Sequence, residues 1–297
     1  MQFIKPPLNV DEQIELLESR GLLINDKNFA KQKLSNINYY RLSAYMLPFQ
    51  KPNNANHQFL DNTTFENIIN LCAFDRALRV LVFDAIERVE VALRTQIIYQ
   101  YSLTKSGYWF EDPTVYINNY NYSRNLIKLD EEIARSNEVF IKHYKKKYTN
   151  PQRPPAWMTL EISSMGLLSQ TFKNLRMSNE KKAIGKHFGV NPYILESWMQ
   201  SLTFVRNVCA HHGRLWNRVL TLQPTIPNHT QNVWLQNTNF DNTRLYGFLS
   251  AMLYLLKTIE PQTTFSQDFK TLLTQFPEMN ASRLGFPHYW NNEALWS

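Results

Sequence analysis

The sequence predicts an all-α protein, with three or four long helices packed as a bundle. Three observations carry this. Glycine is scarce, at 8 of 297 residues, too few for a chain built on tight hairpins. Apolar residues recur at three- and four-residue spacing over long stretches. Aromatics are abundant, with 15 Tyr, 18 Phe and 7 Trp, and a fold of this size must bury many of them. Hydrophobic residues at 43% and charged residues at 19% exclude a disordered chain.

The elements follow in order. Lys5-Pro6-Pro7 leads into an amphipathic helix, DEQIELLESRG, which Asp11 is expected to cap and Gly21 to close. A second helical stretch covers residues 26–34 and runs towards the aromatic INYYRLSAYMLPF, where Tyr39, Tyr40 and Arg41 read as core-like. KPNNANHQFLDNTT is a loop by composition. The strongest helical signal spans residues 65–101, where Leu78, Val82, Ala85, Val89 and Leu93 share one face. A polar middle contains a helix at about 124–148 that ends in the basic run HYKKKY. Residues 151–155 form a turn or short linker. Helices at 157–174, 179–188 and 193–219 come next. A loop with Pro224 and Pro227 precedes an apolar helix at 243–258, and the tail closes in the aromatic GFPHYWNNEALW. These elements divide the chain into an amino-terminal helical region (1–64), a helical bundle (65–260) and a carboxy-terminal extension (261–297).

Lys and Arg total 32 against 25 Asp and Glu, a net charge of +7, and the pI is about 9.2. This balance fits a polyanionic partner, either nucleic acid or an anionic membrane surface. No apolar run reaches membrane-spanning length, and MQFIKPPLNVDEQIELL shows no signal-peptide core, so no membrane partner is expected. Cys72 and Cys209 do not make a disulfide framework, which points to a reducing cytosol.

The segment SWMQSLTFVRNVCAHHGRLWNRVL concentrates polar chemistry. On a helical wheel running through Gly213, Leu202, Val205, Val208, Cys209, Leu215, Trp216 and Val219 form the core arc. Asn207, His211, Arg214 and Arg218 fall on one polar stripe roughly 60° wide. Arg206 sits beside that stripe, and His212 lands in the core arc as a buried histidine. Imidazole and guanidinium groups together suit phosphate chemistry. A histidine moves protons near neutral pH, and an arginine grips non-bridging phosphate oxygens and stabilises charge in the transition state. Asn207, one turn before His211, could orient the imidazole. A solvated basic face is the plainer reading of the same stripe.

Arg206-Asn207-Val208-Cys209-Ala210-His211 matches the R-x4–6-H pattern of the HEPN superfamily. KPPLNVDEQIELLESRGL, INYYRLSAYMLPF, AIERVEVALRTQI, PPAWMTLEISSMGLLS, RNVCAHHGRLWNR and LGFPHYWNNEALW follow one another as in the Abi-like abortive-infection family of the AbiD/AbiF type, so the chain resembles that family over nearly its whole length. The resemblance implies an HEPN-like helical bundle and a phage-defence toxin in the bacterial cytoplasm. It also implies a ribonuclease site that two HEPN copies build together, and in some members a small structured RNA as antitoxin. Carried over, the catalytic pair is Arg206 and His211, with Asn207 as the accompanying polar residue. One copy of the motif is present, so a homodimer is expected.

Other candidates are weaker. Glu87, Glu90 and Arg94 form a charged stripe on an apolar helix, read as supporting the site or contacting RNA, or as a structural ion pair. Glu161 has a similar standing. Lys145, Lys146 and Lys147, with Lys142, His143 and the interleaved Tyr144 and Tyr148, could track an RNA backbone, although charge runs are usually solvated faces. Cys209, His211 and His212 lack a second Cys/His pair at ligand spacing, so no metal is expected, and no cofactor is implied. The leading reading is a metal-independent endoribonuclease acting on RNA, with no DNA substrate expected. Its rivals are a non-catalytic RNA-binding module and an interaction protein that senses a phage component.

Overall fold

The computed structural model describes residues 6–297, so the opening MQFIK, with Lys5 of the lead, lies outside the described residues. Among the described residues the chain is helical, with isolated bridges such as Leu23 to Thr64 and no β-strand. It forms two compact units, one made of the chain up to Leu78 with Leu272–Met279, the other of Arg79–Thr271 with Asn280–Ser297.

The first unit holds α1 (Val10–Ser19), α2 (Lys27–Asn36), α3 (Tyr39–Met46) and the start of α4 (Phe65–Thr104). Asn9, rather than Asp11, caps α1. Its Oδ1 accepts the Glu12 N–H at 2.9 Å while Glu12 Oε2 accepts the Asn9 N–H at 2.7 Å. This reciprocal box satisfies two orphan donors of the first turn. Gly21 closes the helix as expected, at φ +86, with its N–H on the Glu18 carbonyl and the Leu22 N–H on that of Leu17, the Schellman arrangement. On α3 the core-like expectation fails for Tyr40, which is 86% exposed. The buried ring is Tyr45, whose hydroxyl donates to Asp75 at 2.7 Å.

The second unit continues α4 and adds α5 (Asn119–Arg135), α6 (Val139–Lys147), α7 (Ala156–Thr159), α8 (Met165–Asn174), α9 (Asn179–His187), α10 (Pro192–Ala210), α11 (Leu245–Ile259) and the start of α12 (Phe265–Gln275), whose last turn from Leu272 belongs to the first unit. The face of α4 expected to be core is core, since Leu78, Val82, Ala85, Val89 and Leu93 are all fully buried. The helix expected at 124–148 breaks at Ser136, whose backbone is extended. The one expected at 157–174 is interrupted before Ser164, which restarts the chain by capping α8 through the Leu167 N–H. The amphipathic α12, not anticipated, lies in the supposed extension.

The core of this unit forms where α10 meets α8, α9 and α11. α11 is buried from Leu245 through Leu256. Trp198 of α10 stacks on Trp234 and meets Tyr254 edge-on. The aromatic tail is structural: Phe286, Trp290 and Trp296 cluster with Phe269 and Tyr246, and Trp296 Nε1 donates to Ser250. No helix among the described residues is long and apolar enough to cross a membrane.

Candidate active site

Asn191 caps α10 through the Tyr193 N–H, and Pro192 stands in its first turn, where a missing N–H costs nothing. The helix then buries Leu195, Trp198, Met199, Leu202, Val205 and Cys209. The residues left off that face include Arg206 and Asn207 in the last turn.

Arg206 faces α4. Its Nε lies 3.9 Å from Glu90 Oε2, and its guanidinium carbon is 5.7 Å from the centre of the Phe83 ring. A separation of 3.9 Å is too long for a hydrogen bond, and Arg206 Nε is buried without an acceptor. The side chain as a whole keeps 37% of its surface exposed. The other oxygen of Glu90 takes a 2.7 Å bond from Arg94 Nη2, which also donates to the Ser163 carbonyl at 3.0 Å. Glu90 is therefore one carboxylate between two guanidinium groups, and Arg94, 8% exposed, fixes it. Breaking a largely buried pair of this kind by removing one partner costs about 2–3 kcal/mol, towards the low end of the range for fully buried pairs.

His211 is exposed and forms the C-cap, its N–H donating to the Asn207 carbonyl at 3.0 Å. That backbone bond is what joins the two residues. The Asn207 side chain is exposed and makes no hydrogen bond to the imidazole. The helix ends here because the chain turns left-handed at His212, with φ +56. The His212 N–H bonds the Cys209 carbonyl and the Gly213 N–H bonds that of Val208, again a Schellman closure.

This closure corrects the expected stripe. A helix through residue 219 would have carried Arg214 and Arg218 below His211, but both lie in irregular chain after Ala210. Arg218 folds back, its Nε donating to the Arg214 carbonyl at 2.6 Å. His212, expected in the core, is exposed, because the wheel angle that placed it there does not apply past Ala210.

The remaining candidates separate. Glu87 is exposed and outside the Arg206 cluster, whereas Glu90 is inside it. Lys145 donates to the Ile133 carbonyl at 2.5 Å, which ties it to the carboxyl end of α5. Lys146 is exposed, and Lys147 lies over the Tyr148 ring at 5.2 Å. Tyr144 is buried with its hydroxyl on the Pro151 and Arg153 carbonyls, so it offers no face to a base. Glu161 lies in the exposed turn between α7 and α8, not on a helix. Phe83, unremarked in the sequence, was findable: it stands seven residues before Glu90 on the same side of α4.

With this geometry in view, the family model described as Abi-like protein matches residues 32–217, more than half of the chain. The chain belongs to the Abi-like protein family. The match includes Glu90, Arg94, Arg206, Asn207, His211 and Arg214 and stops one residue short of Arg218. No curated protein and no solved structure matches. Membership in the Abi-like family points to abortive infection. It does not of itself assign a reaction to the cluster on α10 and α4.

Proposed function

We propose that this Abi-like protein is an abortive-infection effector of HEPN type, a metal-independent endoribonuclease acting in the bacterial cytosol. The single observation behind the reading is the pairing on one helix end. Arg206 lies over Phe83 and beside Glu90 with 37% of its side chain exposed, and an exposed histidine follows it at the C-cap of the same helix.

In the proposed reaction the 2′-hydroxyl of RNA attacks its own phosphorus. The imidazole of His211 takes part in moving the proton from that oxygen, the bond from phosphorus to the 5′ oxygen breaks, and the departing 5′ oxygen is protonated. Arg206 stabilises the charge that builds on the non-bridging oxygens. The products are a 2′,3′-cyclic phosphate and a 5′-hydroxyl. Arg94 acts through Glu90 as a positioning residue for Arg206. Arg206 turns to Glu90 and Phe83 on α4, whereas His211 stands exposed at the C-cap, so one copy makes a poor compact site. A homodimer meeting along α10 supplies two of each, and a small structured RNA is a partner that restrains the activity.

The test is cleavage of a labelled RNA by purified protein with excess EDTA, beside the same RNA carrying a 2′-deoxy residue at the cut. Cleavage that survives chelation and stops at the deoxy position is expected. Loss on chelation, restored by a divalent ion, would overturn the mechanism.

A further inference from the structure

The irregular chain that leaves α10 leads from His211 to a second polar feature. Asn217, at φ +51, lines a solvent-open cavity of about 450 Å³ together with Asp241, Arg244, Asn280, Ser282 and Arg283. Arg244 is held in place there: its Nη1 donates to Asn217 Oδ1 at 2.9 Å and reaches the Asn217 carbonyl at 3.2 Å. Its Nε lies 3.5 Å from Asp241. Gly285, left-handed at φ +87, permits the approach, since a Cβ there would collide with the Arg244 side chain.

Asp241 is the one carboxylate of the lining. Hydrogen bonds from the Thr243 side chain and backbone hold it below the usual carboxylate range, so it is ionised and balances a single arginine. Arg283 is exposed, and none of the described residues takes its guanidinium as an ion pair or hydrogen-bond partner. The cavity therefore presents a net positive charge, a guanidinium ready for an acceptor, and amide and hydroxyl groups. An anion with several acceptor oxygens suits that set, and a guanidinium can meet two of them at once.

We propose that this cavity is a phosphate subsite for the RNA strand cut at Arg206 and His211, with Arg283 the contact that engages a backbone phosphate. The inference rests on the RNA reading above. Arg283 positions the strand and takes no part in bond breaking.

The test measures binding of a fluorescent oligouridylate to the full chain carrying His211→Ala, which keeps the strand intact, over a range of salt concentrations. Adding Arg283→Ala is expected to weaken binding about fivefold at about 50 mM salt and to flatten the log–log salt dependence by about 0.7, as for one lost phosphate contact on a single strand. Arg283→Glu should weaken it further, and Lys173→Ala, on an exposed part of α8, should leave the slope unchanged. Binding that is tight in the His211→Ala chain yet indifferent to both Arg283 variants overturns the subsite and leaves the RNA reading standing. Equal losses from Lys173→Ala also overturn it, because the effect would then be bulk charge. A His211→Ala chain that binds no RNA overturns the subsite and the RNA reading together.

Discussion

At position 211 the chain still closes a backbone bond to Asn207, whereas at 212 it has already turned left-handed. A side chain with a Cβ is strained in that region, by about 1 kcal/mol or somewhat more, and glycine is not. Gly21 occupies the equivalent seat after α1. His212→Gly is therefore expected to stabilise the protein by up to about 1 kcal/mol, less whatever the imidazole's own contacts contribute. Thermal melting of His212→Gly beside His212→Ala checks this, since both lose the imidazole, and a Gly variant no more stable than the Ala variant would contradict the strain argument. The neighbouring pair was legible as chemistry but not as geometry. Arg206, Asn207 and His211 stand out by residue type and spacing. That His212 rather than Gly213 would take the left-handed seat was not readable, because Gly213 is the residue that the usual closing rule selects.

Among the elements, α4 and the end of α10 differ in how far the sequence determines them. α4 was legible because its fully buried positions recur at helical spacing across a length that no strand reaches. The end of α10 was not, and with it went the expected stripe of Arg214 and Arg218, since a wheel drawn past a helix terminus assigns angles to residues that have none. α12 was not legible, because its eleven residues carry just three buried apolar positions at helical spacing, Phe265, Phe269 and Leu272, a short pattern beside the long run of α4. The polar line on α4 yields a direct comparison. Arg94→Met removes a partner from the half-buried Glu90 and should destabilise by about 2–3 kcal/mol, towards the low end for a buried pair. Glu87→Gln touches an exposed carboxylate and should stay within about 0.5 kcal/mol. Urea denaturation of the two variants beside the parent distinguishes them. Equal effects would show that Glu90 is not held as described. In the first unit, Tyr45→Phe strips the buried Asp75 of a hydrogen bond and should cost about 1–3 kcal/mol.

For the molecule as a whole, the aromatic composition has a consequence in alkaline solution. Burial raises the hydroxyl of Tyr101 to about 12 and that of Tyr144 to about 12, and it pushes Tyr116 up further still. A group whose folded pKa lies above its unfolded value contributes stability that is intact below the unfolded value, near 10, and is lost as pH rises towards the folded one. Stability should therefore be flat with respect to these groups up to about pH 9.5 and fall steeply between about 10 and 12. Denaturation midpoints taken across that window check it, and a midpoint that held constant through pH 11 would contradict the burial. At the same scale, activity per chain should rise with protein concentration if two copies of α10 build the site.

The proposed ribonuclease centre of Arg206 and His211 on the end of α10 is put to the test by single-turnover RNA cleavage with the parent, Arg206→Ala and His211→Ala, melting temperatures being taken in parallel. Because His211 is exposed and bonds its helix through the backbone alone, His211→Ala should melt with the parent yet cleave about 10²–10⁴ times more slowly. Arg206→Ala should lose cleavage to a similar degree while also relieving Glu90 of one neighbour. A parent that leaves RNA intact, or a His211→Ala protein that cuts it at the parental rate, would rule out that centre.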